Sequence, residues 1–291
     1  MHTIAAAKAW AVQALSQAQI KSPLLTADLL LAFVLGWDRV RVLSHPEEEI
    51  SPEAVERFQS LIHRRAGGEP LQYLTGEQEF YGLVFRVGPG VLIPRPETEI
   101  LVEKAIHLIR RGPGSGIRIL DIGTGSGCIA ASIAHEVLAC SGCAVDISAA
   151  ALRIARENLV RHGVDGRIRL VQSNLLDCFP CAPQFEFIFC NPPYVALKDC
   201  DSLPPEVRFY EPHRALFGGE SGMELYNALM PEVPLRLTAG GYLLLELGAG
   251  QADEVSGLAK NAGLSVEAIL PDLQGIPRCL VARKHPGAIY G

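Results

Sequence analysis

The sequence predicts an α/β fold: a mostly parallel sheet with helices on both faces, preceded by a small helical domain and a β-hairpin. Three observations carry that prediction. From Glu97 to about residue 270, stretches with helical spacing alternate with short apolar runs, the pattern of strand–helix–strand units that build a parallel sheet. One such run, Ile117 to Leu120, leads into glycines at alternate positions, Gly123, Gly125 and Gly127; a strand-to-helix turn of that composition lets the backbone approach a ligand closely. Residues 1–73, by contrast, carry apolar residues at helical spacing alone.

The elements follow in order. Ala5 to Leu15, Leu24 to Leu35 and Glu53 to Ile62 read as helices. Ser51-Pro52-Glu53 is a helix start, with proline in the first turn, where a missing N–H is harmless. Residues 74–93 change character: Phe80-Tyr81, Leu83 to Val87, Gly88-Pro89-Gly90 and Val91 to Ile93 together read as a hairpin. Residues 94–291 form the main domain. Its strands include Ile117 to Leu120, Cys143 to Asp146, Phe185 to Cys190 and a last one at Cys279 to Ala282, and Cys128 to Leu138 reads as a helix. Ligands of such sheets bind at the carboxyl ends of the strands, where the motifs described next both fall.

Asp121-Ile122-Gly123-Thr124-Gly125-Ser126-Gly127 has the spacing G-x-G-x-G, not the G-x-G-x-x-G of nicotinamide-dinucleotide folds. No G-x-x-x-x-G-K-[ST] stretch occurs, which argues against a nucleoside triphosphate. Asp146 ends the second strand 23 residues after Gly123 (146 − 123), about where a ribose-binding carboxylate belongs. Taken singly, the turn could be only a tight turn and Asp146 only a helix cap. Together, and without a phosphate-binding lysine, they suggest an adenosine cofactor that lacks a phosphate chain. S-adenosylmethionine fits, and its sulfonium methyl is an electrophile.

Asn191-Pro192-Pro193-Tyr194 follows the strand Phe185 to Cys190. The Asn191 side-chain oxygen is an acceptor. Pro192 and Pro193 have no N–H, so their stretch offers carbonyl oxygens with little donor competition. Two acceptors can take both hydrogens of a planar NH2 and leave its nitrogen facing a third direction. Tyr194 is expected to supply a flat wall for stacking. Read alone, the tetrapeptide could be a rigid loop; after a strand, and beside a methyl donor, it is a device for holding an amide or amino group.

Composition excludes several classes. Net charge is −6 (26 − 32), against a broad nucleic-acid-binding surface. Arg153, Arg156, Arg161, Arg167 and Arg169 form the nearest approach to a basic patch, and their spacing with Glu157 suits a solvated face. The longest apolar stretch, around Leu24 to Trp37, is interrupted by Asp28 and is too short to span a membrane. Residues 1–27 contain no acid and two lysines but no arginine, a poor match to a transit segment. Two C-x-x-C pairs, Cys140/Cys143 and Cys178/Cys181, lie 34 residues apart, farther than zinc pairs prefer. No metal is expected, and a reduced cytosolic protein is the simpler reading of the cysteines.

The sequence resembles the protein-(glutamine-N5) methyltransferases that modify peptide chain release factors. The resemblance covers nearly the whole chain. It rests on Glu69 to Gly76 (EPLQYLTG), Val91 to Glu99 (VLIPRPETE), Asp121 to Gly127, Asn191 to Tyr194, and Glu211 to Gly219 (EPHRALFGG). The glycine turn and N-P-P-Y also occur in amino methyltransferases of DNA, whereas the segment around Pro94-Arg95-Pro96 is much more specific. The resemblance implies a seven-stranded Rossmann-like S-adenosylmethionine-dependent domain behind a helical one, and as substrate the glutamine of a Gly-Gly-Gln loop in class 1 release factors. Carried over by position, Gly123, Thr124, Gly125, Ser126 and Gly127 would line the methionine part of the cofactor, and Asp146 would hold its ribose. Asn174 and Leu175 would face the adenine. Asn191 would touch cofactor and substrate, with Pro192, Pro193 and Tyr194 around the substrate amide. Position 174 is Asn where the family often has Asp; its oxygen still accepts a hydrogen bond.

No dedicated base is expected. Glu97 and Glu99 read as first-turn residues favoured at a helix N-terminus, and Glu246 is assigned no role as a general base. No G-x-S-x-G nucleophile elbow occurs. The rival reading is an adenine-N6 or cytosine-N4 methyltransferase of nucleic acid, whose target is also a planar NH2; it would require base flipping and a basic surface. A non-catalytic adapter with a vestigial pocket is the remaining alternative.

Overall fold

The computed structural model describes residues 2–112 and 116–286. In chain order the helical part comprises α1 (Ile4–Gln17), α2 (Pro23–Leu35), α3 (Arg39–Ser44), α4 (Pro52–Ala66) and α5 (Leu71–Thr75). There follow β1 (Glu77–Phe80), β2 (Leu83–Arg86), α6 (Thr98–Arg110), β3 (Ile117–Ile122), α7 (Cys128–Glu136), β4 (Cys140–Asp146), α8 (Ala149–Arg161), β5 (Ile168–Gln172) and β6 (Phe185–Cys190). After a 3-10 turn at Leu197–Ser202 come α9 (Pro205–Tyr210), α10 (His213–Leu216), α11 (Glu224–Leu229), α12 (Val233–Arg236), β7 (Leu237–Glu246), α13 (Ala252–Asn261), β8 (Leu264–Pro271) and β9 (Pro277–Lys284).

The chain divides into two compact units, residues 1–77 with 204–210, and residues 78–203 with 211–291. In the first unit, Ile4, Ala7, Ala11 and Leu15 of α1, Leu30 and Leu31 of α2, and Phe58 and Ile62 of α4 form one buried core. Burying these apolar faces is what stabilises three short helices that would be marginal alone. Asp38 caps α3 through Arg41 N, and Ser51 caps α4 through Ala54 N. Arg65, also buried, donates to the Glu69 carbonyl at 2.9 Å and to Glu206 at 2.6 Å, which holds residues 204–210 to this unit. That return of a distant segment has no signal in the sequence. The division after Glu77 lies four residues beyond residue 73, because Leu71–Thr75 completes a short helix that Gly76 terminates at φ +76°.

The second unit is a seven-stranded sheet of order β5-β4-β3-β6-β7-β9-β8. Strands β5, β4, β3, β6 and β7 run parallel; β9 is antiparallel to both β7 and β8. Each central strand buries both faces: Ile117 and Ile119 of β3 and Phe187 and Phe189 of β6 pack under α6 and α7, while Leu120, Ile122 and Ile188 pack on the opposite side with α11 and α13. This double burial explains why the strands read as continuous apolar runs. The hairpin differs from the sequence expectation: β1 and β2 turn at Tyr81-Gly82, and Val91 to Ile93 is not a strand. Proline at 89 and 94 brackets that segment and removes ladder donors.

Candidate active site

The order of strands reverses between β3 and β6, so the crevice at their carboxyl ends is the topological switch point of the sheet. Ile122 pairs with Cys190 in that register. The loops that follow, Gly123 onward and Asn191 onward, therefore leave the sheet side by side. A cleft of about 570 Å³ opens there.

The first wall is the glycine turn. Gly123 and Gly125 hold φ of +69° and +55°, a left-handed region that a residue with a Cβ enters at a cost. Thr124 N donates to Val145 O, and Gly125 N donates to Asp146 Oδ2, both at 2.9 Å. Ser148 N donates to the other Asp146 oxygen at 2.8 Å. Each carboxylate oxygen keeps a further lone pair for a ligand. Thr124 points inward, its hydroxyl donating to buried Asp121 at 2.6 Å. Burial raises the Asp121 carboxyl to about 6 even though that hydrogen bond lowers it.

The second wall follows β5. Asn174 gives its NH2 to Asp177 at 3.3 Å, which leaves the side-chain oxygen as the free end. Leu175 stands at φ +44° and lines the cleft; a left-handed non-glycine residue at a cleft marks a backbone fixed by its surroundings.

The third wall is the segment after β6. Val195 pairs with Phe217 in a short parallel bridge: Val195 N donates to Leu216 O and Gly218 N to Val195 O, each at 3.0 Å. A Cβ on Gly218 would lie 2.4 Å from Pro193 O, so only glycine admits this approach. Gln251 donates to Tyr194 O at 3.1 Å from the other side. Pro94, Arg95, Pro212 and Arg214 also line the cleft. Glu211, 3% exposed, accepts from Ile93 N at 3.1 Å and from the Arg95 guanidinium, so the Val91–Glu99 and Glu211–Gly219 segments hold each other.

Beneath Asn191 lies a buried hydrogen-bond chain. Asn191 Nδ2 donates to Thr98 Oγ1 at 3.1 Å, and Thr98 Oγ1 donates to Glu246 Oε2 at 2.6 Å. Tyr194 OH donates to Glu246 Oε1 at 3.3 Å. Burial pushes the Glu246 carboxyl up to about 7, and burial followed by the nearby Glu246 charge raises the Tyr194 phenol.

Of the residues expected from sequence, Gly123, Thr124, Gly125, Ser126, Asp146, Asn174, Leu175, Asn191, Pro192 and Pro193 meet in the one cleft. Tyr194 ends the same segment and is half-buried. Its ring packs with the buried core under α11 and its hydroxyl turns to Glu246, because Tyr194 O and the adjacent bridge fix the chain direction. Gly127 starts α7 against Ala155, 3.3 Å from where a Cβ would stand. Glu99 accepts from Tyr81 N and so serves the hairpin. Thr98 and Glu246 had no assigned role, although Thr98 lies within a motif.

The strand order, the turn at the switch point and the acid ending the neighbouring strand define the class of the α/β methyltransferase fold. A solved methyltransferase from Pyrococcus furiosus shares it, with TM-score 0.52 and 20% identity over 78% of this chain and 98% of that one. The methyltransferase small domain family matches residues 98–203, and the PrmC N-terminal domain family matches residues 6–76. The release factor glutamine methyltransferase of Koribacter versatilis is 43% identical over 94% of this chain and 96% of its own length. That of Moorella thermoacetica is 41% identical over 94% and 96%. The chain belongs to the release factor glutamine methyltransferase family.

Proposed function

We propose that this enzyme transfers the methyl group of S-adenosylmethionine to the side-chain amide nitrogen of the glutamine in the Gly-Gly-Gln loop of class 1 peptide chain release factors, releasing S-adenosylhomocysteine. The observation that carries this reading is the oriented Asn191 amide: its NH2 is given to Thr98, so its oxygen is the end left for the cleft. An oxygen there accepts from an incoming NH2.

The cleft residues suit the cofactor. Asp146 offers lone pairs to ribose hydroxyls, Asn174 an acceptor to the adenine amino group, and the backbone around Gly123 and Gly125 is open to the methionine part. The cofactor, when bound, supplies an electrophilic methyl. An amide nitrogen is a weak nucleophile because its lone pair is delocalised into the carbonyl. Asn191 Oδ1 and the Pro192 carbonyl each accept one N–H, which enriches the nitrogen and aims it. Orientation of this kind contributes roughly 7–11 kcal/mol in favourable cases. After transfer the nitrogen is strongly acidic and sheds its proton to water, so no residue need act as a base.

The helical unit reads as the part that contacts the release factor, a substrate that places the enzyme in the cytoplasm. It exposes Leu24, Val40 and Leu43, and Leu24, Val42 and Leu43 border a shallow apolar groove with Ile4 and Val12. Leu43→Glu is expected to raise KM for the intact release factor and leave cofactor affinity unchanged. The test of the whole reading is labelled methyl transfer to a class 1 release factor, to its Gln→Ala loop variant, and to duplex DNA. Label on the intact release factor alone supports it; label on DNA or on the loop variant overturns it.

A further inference from the structure

We propose that Glu246 is a positioning residue for the acceptor amide: through the single hydroxyl proton of Thr98, it fixes which end of the Asn191 side chain faces the cleft. The inference rests on the reading of Asn191 as the group that accepts from the substrate NH2.

The argument is a count of hydrogens. Glu246 ends β7 and is 2% exposed; Thr98 opens α6 and is as deeply buried. A hydroxyl has one proton and two lone pairs, and a carboxylate has lone pairs only. At 2.6 Å the two oxygens must share a proton, and with Glu246 ionised that proton comes from Thr98. Thr98 then faces Asn191 with a lone pair. Asn191 must answer with its NH2 at 3.1 Å, and its oxygen turns to the cleft. A shape-based reading of the pocket alone would leave the two ends of this amide interchangeable.

Protonating Glu246 removes that constraint. The carboxyl proton can then point to Thr98, and the Thr98 hydrogen is released toward Asn191. The Asn191 amide can turn over and present NH2 to an incoming NH2, donor against donor. Glu246 is surrounded by the hydroxyls of Thr98 and Tyr194, by Glu97 at the start of α6, by Cys190 of β6, and by Arg278 and Cys279 of β9; Tyr226 donates to its backbone carbonyl. Glu97 favours the proton and Arg278 opposes it. Burial dominates and brings the group to about 7, so both states are reached near neutrality.

The experiment is single-turnover methylation of an intact release factor by the full-length enzyme at saturating S-adenosylmethionine, on both sides of neutral pH. The variants are Thr98→Val, Thr98→Ser, Glu246→Gln and Asn191→Ala, each with its cofactor Kd and Tm. Thr98→Val is expected to lower the rate roughly 100-fold, the scale of an ångström of misplacement, with the cofactor Kd little changed, while Thr98→Ser retains most of the rate. The wild-type rate is expected to fall on the acid side with a midpoint at about 7, and Glu246→Gln to lose that limb. An inactive Asn191→Ala together with a near-wild-type Thr98→Val, or with an acid limb unchanged in Glu246→Gln, overturns the positioning role alone. A fully active Asn191→Ala overturns the reading beneath it. If Thr98→Val fails to fold, the Glu246→Gln profile and Thr98→Ser decide.

Discussion

Gly125 donates its backbone N–H to the Asp146 carboxylate at 2.9 Å, so the turn after β3 and the acid that ends β4 hold each other in place. Asp146 thus shapes the turn, and the proposed function gives it a second task, to offer lone pairs to the cofactor ribose. Asp146→Ala is expected to raise the cofactor Kd about tenfold or more, matching the loss of about 1.5–3 kcal/mol from a charged hydrogen bond. Calorimetry checks it. Asp146→Asn keeps an acceptor for Gly125 and should lose less; an unchanged Kd in both variants would show that Asp146 is not a ribose ligand.

Asn191→Ala should separate binding from chemistry. Turnover is expected to fall at least about 100-fold, and cofactor affinity to weaken much less, because the proposed function assigns the cofactor mainly to the glycine turn and Asp146. Steady-state kinetics beside a binding titration measures the split.

The loop behind the Asn-Pro-Pro segment should tolerate no side chain at position 218. A methyl there would stand 2.4 Å from Pro193 O and 2.9 Å from Gly222 O, both backbone atoms. Gly218→Ala is expected to cost about 1–3 kcal/mol of stability, as overpacking does. It should also lower turnover by displacing Pro193. Urea unfolding and kinetics on the same preparation test both.

Glu246 gives a signed dependence of stability on pH. Its proton is held to about 7 in the folded state against an ordinary carboxyl value of 4.5. The folded protein therefore binds the proton more tightly than the unfolded chain, and this contribution is full below about 4.5 and lost as pH rises through about 7. Across that window wild-type stability should fall relative to Glu246→Gln by up to about 3 kcal/mol. Denaturant titrations of both proteins at several pH values show the difference, and parallel curves would refute the assignment.

Arg65 ties α4 to residues 204–210 within the helical unit, beside the hydrogen bond that Tyr210 OH donates to Gly67 O at 2.9 Å. Arg65→Ala should speed hydrogen exchange of the α9 amides and cost that unit about 1–3 kcal/mol, the penalty for an unmade charged hydrogen bond. Exchange measured by mass spectrometry reads this segment directly.

The parts of the fold legible in the sequence were those set by local pattern. Phe185–Cys190 matches its strand residue for residue, because an apolar run bounded by Pro192 and Pro193 allows little else. The glycine turn and Asp146 were legible because left-handed φ and a strand-end carboxylate leave marks in composition. What escaped was long-range. Thr98 meets Glu246 across 148 residues and Asn191 across 93, and no spacing rule links them. The Tyr194 hydroxyl meets Glu246 across 52 residues, and the Gln251 and Phe217 contacts that fix the backbone around it lie elsewhere in the chain, so no local pattern marks its partners. Val91 to Ile93 read as a strand from side-chain type, yet Ile93 N spends its hydrogen on Glu211 and not on a ladder.

The pairing of Ile122 with Cys190 makes the sheet a ruler for the reaction. The loop read as holding the methyl donor and the loop read as holding its acceptor are each rooted in a strand end, and those two ends are clasped by backbone hydrogen bonds that side chains cannot renegotiate. A slip of one residue would offset the loops by about 3.3 Å and turn both buried faces over. The separation of donor and acceptor is thus calibrated by the same bonds that hold the domain together, and an insertion or deletion in either strand would be felt as a mismeasured gap at the chemistry.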